Sequence, residues 1–205
     1  MRNSSTVILQ LSAVVLVLTF LGFLFENDWF LLIGACSLLG IVIKSTDQLI
    51  DVRKGKEKKK ILFLAVLIPI IVGYLAFNYE PVFGMVVGTG LGLLFSGKFD
   101  HFGYYLSFFG FLALVFLVVF LFDMNFSKET FYLIPVAFTA SFLDEYIHEK
   151  TAKNGGFSHT FFEHRPVLKI AALLATVAGM AEMVHLFGFL FFDISYDFVA
   201  FLWRE

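Results

Sequence analysis

The chain has 205 residues, of which 59% are hydrophobic and only 16% charged, with a formal net charge of −2 and a mean hydropathy of +0.85. This composition excludes an ordinary soluble domain and predicts an integral membrane protein. The single cysteine, Cys36, excludes an intrachain disulfide.

Long segments without charged residues predict an all-α, polytopic bundle of about seven transmembrane helices in one domain, because a span needs about 20 apolar residues. The spans are expected near residues 6–25, 29–45, 61–79, 81–97, 102–122, 130–148 and 168–192. The first is longer than the apolar core of a secretory signal, so we expect it to be retained. The tail 194–205 is too short to span, and it is expected at the outer interface with Tyr196 and Trp203 as aromatic anchors.

Lys and Arg are concentrated in the loops that these seven spans put on one side. Thirteen of the 15 basic residues fall there, and only Lys128 and Arg204 do not. The positive-inside rule therefore predicts a multi-pass protein of the cell membrane with a cytoplasmic N-terminus, in contact with membrane lipids. Within the fourth span, Gly84, Gly88 and Gly92 share one face, which predicts close approach of a neighbouring helix.

Carboxylate and histidine side chains are concentrated at the cytoplasmic helix ends. Asp144 and Glu145 both align with His148, because residues three or four apart share a helix face. Such ligands suit Zn, Fe or Mn, which predicts a divalent-metal site at this face. Its expected ligands are Asp100, His101, Asp144, Glu145, His148 and His164. In this interpretation Glu149 is a general base and Arg165 orients a lipid-linked or phosphate-bearing anionic substrate.

Other interpretations of the polar residues stay open. In the first, they are interfacial side chains of no special function. Glu182 and His185, inside the predicted seventh helix, favour a metal-ion or proton transporter or channel. A non-catalytic subunit that docks a partner on its polar rim is a third. No nucleic-acid partner is expected, since the 29 phenylalanines are lipid-facing or packing groups.

Two Glu-x-x-His motifs, at Glu145 to His148 and Glu182 to His185, match the motif of carboxylate-bridged di-iron bundles. Glu182 is expected about 20 Å along its helix from the cytoplasmic end, whereas Glu145 lies near that end. This separation argues against a shared binuclear centre.

The order Asp100-His101, then His164-Arg165, then His185 and Asp193 resembles the membrane-bound metal-dependent hydrolases. That family carries an Asp-x-Asp-His box, a His-Arg-Gly-x-Thr-His-Ser box and a later helix with His and Asp. The resemblance implies a metal-dependent hydrolase. The chain departs from the pattern at Lys98, which stands where the first Asp is expected, and after His164-Arg165-Pro166-Val167, where Thr-His-Ser is missing.

Overall fold

All regular structure in the computed structural model, which describes residues 28–51, 57–123, 125–152 and 165–204, is α-helical. The described helices are α1 (Asp28–Asp51), α2 (Lys58–Asn78), α3 (Glu80–Phe95), α4 (Phe102–Phe122), α5 (Lys128–Ala152), α6 (Pro166–Val177) and α7 (Met183–Arg204). The predicted helical bundle is confirmed. The expected span at 6–25 lies outside the described residues.

Four of the described helices, α1, α2, α4 and α7, are long and apolar enough to cross a membrane, which is compatible with a membrane protein. The outward faces of α2 and α4 carry large apolar side chains that the bundle leaves exposed, among them Phe63, Ile70, Phe116 and Phe120. Apolar exposure of this extent is unusual for a soluble monomer and suits contact with lipid chains. The shared core between α1, α2, α3 and α4 buries residues such as Leu32, Leu75 and Phe111.

The two ends of the bundle differ in charge. At one end the Tyr79 hydroxyl donates to the Asp28 carbonyl at 3.0 Å, and Glu80 accepts from the Ser127 amide at 3.0 Å. We call the end that contains Asp28, Glu80 and Glu182 the acidic end, and the end that contains Lys44, Lys98 and Arg165 the basic end.

The glycines of α3 pack closely against a neighbouring helix, as the sequence predicts, and that helix is α5. A methyl group added at Gly84 or Gly88 would overlap the carbonyl oxygens of Thr130 or Ile134, and one at Gly92 would meet the Ser141 side chain. The α3–α5 pair is among the most extensive in the bundle, together with α1–α7. The second pair also depends on glycine, since Gly40 lies against the backbone of Phe192 and Gly188 lies against Leu32 and Cys36.

The prediction of one helix over 168–192 is wrong, because the chain breaks between α6 and α7. Gly179 adopts a φ of +75°. Its amide donates to Thr176 O at 3.0 Å, and the Met180 amide donates to Ala175 O at 2.9 Å. This is a Schellman motif, in which glycine after the last helical turn satisfies the free carbonyls.

The structure also differs from the prediction for the tail 194–205, which does not lie at the end of the bundle opposite Lys44. α7 continues to Arg204 and runs parallel to α1, so that Tyr196 lies beside Lys44 at the basic end. Trp203 packs with Ile41 and Val199 inside the bundle. The break before α7 explains the difference, since it adds one reversal of the chain that the sequence prediction lacked.

Candidate functional site

A carboxylate on α1 joins three helices at the basic end. Asp47 accepts hydrogen bonds from the Tyr104 hydroxyl of α4 at 2.7 Å and from the Tyr196 hydroxyl of α7 at 2.6 Å. The Lys44 ammonium lies 3.7 Å from the same carboxylate and 4.5 Å from the centre of the Tyr196 ring. Hydrogen bonds to a charged group are among the stronger ones, so these contacts hold α1, α4 and α7 together.

A second set of contacts continues from Tyr196 towards α5. The Arg165 guanidinium lies 5.6 Å from the centre of the Tyr196 ring and 3.3 Å from the Glu145 carboxylate. Lys98, in the segment after α3, lies 3.5 Å from Glu145 and 3.1 Å from Glu149. Together these eight side chains are called the basic-end network: Lys44, Asp47, Lys98, Tyr104, Glu145, Glu149, Arg165 and Tyr196.

Two cations of the network lie outside the helices and remain charged at neutral pH. Partial burial lowers the pKa of Lys98, but the hydrogen bond to Glu149 and the charge of Glu145 outweigh it and raise the pKa above its usual value. Burial likewise lowers the pKa of Arg165, and the neighbouring Tyr196 and Glu145 more than compensate. A raised cation pKa stabilises the fold below that pKa, so the contribution of Lys98 is complete at neutral pH and declines only in alkaline solution.

Asp144 fixes the start of α6. It is 1% exposed, and its two carboxylate oxygens accept the backbone amides of Val167 at 3.0 Å and Leu168 at 2.7 Å. Amides in the first turn of a helix lack partners within the helix, so Asp144 acts as a capping residue supplied by another helix. Arg165, directly before α6, has a φ of +48°, which is uncommon for a residue with a side chain.

One further ion pair lies deeper, between α6 and α7. The Lys169 ammonium lies 2.6 Å from the Asp193 carboxylate, whose side chain is 14% exposed. Lys169 follows Arg165 by one helical turn, so the two cations face α7 in succession. Charged groups within apolar helices are costly unless they are paired, and here the Lys169 ammonium and the Asp193 carboxylate pair with each other.

The five expected metal ligands that the structure describes do not converge as one group. Asp144 caps α6 and Glu145 is ion-paired, while His101 accepts the Gly103 amide at 3.0 Å and so caps α4. Across the described ranges, no three His, Cys, Asp or Glu side chains form a group that could hold a metal ion. Asp100 is exposed and His148 half-buried at the basic end, and His164 lies outside the described residues. The two expected catalytic residues, Glu149 and Arg165, both belong to the basic-end network.

Lys44, Asp47, Tyr104 and Tyr196 were not predicted as site residues, and neither was the pair of Lys169 with Asp193. The sequence contains one signal for them, since Lys44 and Asp47 are opposite charges one turn apart near the end of an apolar helix. Tyr196 was assigned to the wrong end of the bundle, so its partner could not be predicted.

The acidic end contains a cavity of about 850 Å³ that opens outward between the helix ends. Among the described residues its lining includes three carboxylate residues and one histidine, and no Lys or Arg: Asp28, Glu80, Glu182 and His185. The segment between α6 and α7 forms one wall, with Gly179, Met180 and Ala181. A cleft lined by charges of one sign raises the local concentration of ions of the opposite sign, and carboxylates attract cations in this way.

Glu182 directly precedes α7 and His185 lies in its first turn, which corrects their expected position in the middle of a helix. The His185 Nδ1 accepts the Glu182 amide at 3.1 Å, so the imidazole caps the helix. Glu182 itself is exposed to the cavity. Tyr79 lies close to the His185 ring; burial, and then the charge of Asp28, raise the pKa of Tyr79 to about 12. Its hydroxyl therefore remains protonated at neutral pH.

The chain matches no protein-family model, no curated protein and no solved structure. The arguments for function therefore come from the residues and contacts described above.

Proposed function

We propose that the chain is a multi-pass membrane carrier for cations, with the acidic-end cavity as the entry for the cation and the basic-end network as the opposite gate. The observation that carries this proposal is the difference between the two ends. Among the described residues, a cavity of about 850 Å³ opens at the acidic end, whereas hydrogen bonds and ion pairs join the helices at the basic end. This difference supports a carrier in which one gate is open while the other is shut.

The packing of the helices favours movement of this kind. α1 with α7 and α3 with α5 are the two most extensive pairs, each brought close by glycines. The two pairs are joined at the basic end through Arg165, which contacts Tyr196 on α7 and Glu145 on α5. Tightly packed pairs joined by charged contacts can separate at those contacts while each pair stays intact.

The lining of the cavity favours a cation over an anion. Glu182 and Glu80 supply carboxylates, His185 supplies an imidazole, and the turn between α6 and α7 borders the cavity. From His185 the next charged residue on α7 is Asp193, about 12 Å away at 1.5 Å per residue, and it is paired with Lys169.

The proposal assigns the basic end to the cytoplasm. Since α7 ends at the basic end, Arg204 joins the basic residues there, and Lys128 is the one Lys or Arg of the described helices at the acidic end. This strengthens the charge asymmetry on which the positive-inside rule depends. The acidic-end cavity then faces outward.

The metal-dependent hydrolase expected from the sequence resemblance remains a separate prediction. Metal analysis of the purified protein tests it, with His148→Ala and His164→Ala as variants. A bound divalent metal that is lost in both variants would support the hydrolase. A parent protein without bound metal would contradict it.

The carrier is tested by flux into liposomes that contain the purified chain. Protons, Na⁺ and Zn²⁺ are each followed with an indicator dye inside the liposomes, for the parent and for Glu182→Gln and His185→Ala. Glu129→Gln is the matched control, because Glu129 is an exposed carboxylate at the acidic end that does not line the cavity. We expect flux of at least one cation, reduced about tenfold in both cavity variants and unchanged in the control. Flux equal to that of empty liposomes, or equal in Glu182→Gln and the parent, would contradict the carrier.

A further inference from the structure

The first turn of α2 carries three consecutive exposed lysines, Lys58, Lys59 and Lys60. Directly after them comes the apolar outward face of the same helix, in which Leu62 is 52% and Phe63 67% exposed. Cationic groups therefore border an apolar surface at the basic end. Amphiphiles with an anionic head and an apolar chain match such a border.

A groove crosses this border between α1 and α2. It has a volume of about 340 Å³ and is lined by Leu49 of α1 and by Lys59, Lys60, Phe63 and Leu64 of α2. The aliphatic stems of the two lysines and the side chains of Leu49, Phe63 and Leu64 form an apolar wall. Glu57 pairs with Lys60, so the segment 57–60 keeps a formal charge of +2.

We propose that this groove binds an anionic phospholipid, whose phosphate lies between the Lys59 and Lys60 ammonium groups and whose acyl chain lies along Leu49, Phe63 and Leu64. The charge of the segment 57–60 is complementary to a phosphate. The apolar wall of the groove would gain nothing from a free phosphate ion, so it favours a phospholipid as the source of the phosphate. In the cytoplasmic leaflet, anionic lipids attract basic residues at the membrane surface.

A lipid in this place would bridge α1 and α2 at the end where the chain connects them. The proposal is separate from cation transport, because the groove shares no residue with the acidic-end cavity or with the basic-end network. Its failure would leave the carrier untouched.

Native mass spectrometry of the full chain in detergent tests the proposal by titration with phosphatidylglycerol, phosphatidylcholine and inorganic phosphate. We expect the parent to bind phosphatidylglycerol in preference to phosphatidylcholine. The double variant Lys59→Gln and Lys60→Gln should bind phosphatidylglycerol about 30-fold more weakly, as about 1 kcal/mol for each lysine implies. Lys150→Gln, which removes an exposed lysine at the same end, should leave the affinity unchanged.

The acyl-chain part of the site is tested by Phe63→Ala, with Phe116→Ala as control because Phe116 is exposed on α4. Phe63→Ala should weaken phosphatidylglycerol binding several-fold, and Phe116→Ala should not. Equal binding of the two phospholipids, or unchanged binding in the double lysine variant, would overturn the proposal. Inorganic phosphate that displaces phosphatidylglycerol at equal concentration would also overturn it, because the groove would then be a phosphate site and not a lipid site.

Discussion

The Tyr196 hydroxyl donates a hydrogen bond of 2.6 Å to Asp47, although 149 positions separate the two residues in the sequence. This contact fixes the direction of α7, because it requires that the last helix end beside the end of α1. It also gives the Asp47 carboxylate one of the two tyrosine hydroxyls that stabilise its charge. The other comes from Tyr104 on α4.

Replacement of Tyr196 by Phe removes the hydroxyl and keeps the ring. We expect the protein to lose about 1.5–3 kcal/mol of stability, the usual contribution of a hydrogen bond to a charged group. Thermal unfolding in detergent measures the change. Tyr132→Phe is the matched control, because Tyr132 is 58% exposed on α5, and an equal loss in both variants would argue against a special role for the Asp47 contact.

Replacement of Gly88 by Ala places a methyl group against the carbonyl oxygen of Ile134. Since both backbones are helical and cannot give way cheaply, we expect a loss of about 1–3 kcal/mol from overpacking. Gly110→Ala controls for the change of residue type, because its added methyl group would meet Pro69 at an ordinary 3.6 Å. If Gly88→Ala were as stable as Gly110→Ala, the close α3–α5 packing would be refuted.

Replacement of Asp144 by Ala leaves the amides of Val167 and Leu168 without their carboxylate partner. Loss of a helix cap, together with the cost of unpaired buried amides, should destabilise the protein by about 1–3 kcal/mol. Hydrogen exchange should speed up in the first turn of α6 and stay unchanged in the first turn of α2. Unchanged exchange at Val167 and Leu168 would show that Asp144 does not cap α6.

The direction of α7 has a topological consequence. Cysteine introduced at Arg204 should share the membrane side of cysteine introduced at Lys60, and cysteine introduced at Lys128 should lie on the opposite side. A membrane-impermeant maleimide on intact cells should label only the Lys128→Cys variant, and the other two should need permeabilised cells. Labelling of Arg204→Cys on intact cells would contradict this direction of α7 and would support the outer location that the sequence predicts for the tail.

Much of the helix pattern could be predicted from the sequence because apolar runs and charged loops alternate clearly along the chain. The glycines of α3 also predicted close packing against a neighbouring helix, since small residues at four-residue spacing commonly serve this purpose in apolar helices, although they did not identify α5 as that helix. The break at Gly179 was missed, because the residues on both sides are apolar and periodicity alone does not distinguish one long helix from two. The sequence contained two signals for this break. Gly179 is a residue type that commonly ends a helix, and His185 of the Glu182-x-x-His185 motif can cap the start of the next helix.

The candidate site was harder to predict for a physical reason. Carboxylates that cap helices or pair with lysines have the same residue types and spacing as metal ligands, so Asp144 and Glu145 fit either role in sequence. What separates the roles is the position of the partner, such as the amide of Leu168 or the guanidinium of Arg165. Those positions depend on how α6 packs against α5, which local sequence does not encode.

Side-dependent labelling of the cavity tests the carrier most directly. Met180→Cys places a thiol in the cavity wall, and the parent, whose only cysteine is the buried Cys36, gives the background. An impermeant maleimide is applied to right-side-out and inside-out vesicles, with and without the additional change Arg165→Gln. Lys150→Gln is the control for loss of a basic-end cation outside the network.

We expect Met180→Cys alone, and with Lys150→Gln, to react only from the acidic-end side. With Arg165→Gln, which breaks the contact between α5 and α7, the reaction should become slower from that side and measurable from the basic-end side. Reaction from the acidic-end side alone, at one rate in all variants, would contradict the carrier, because the cavity would then be a fixed depression in the surface.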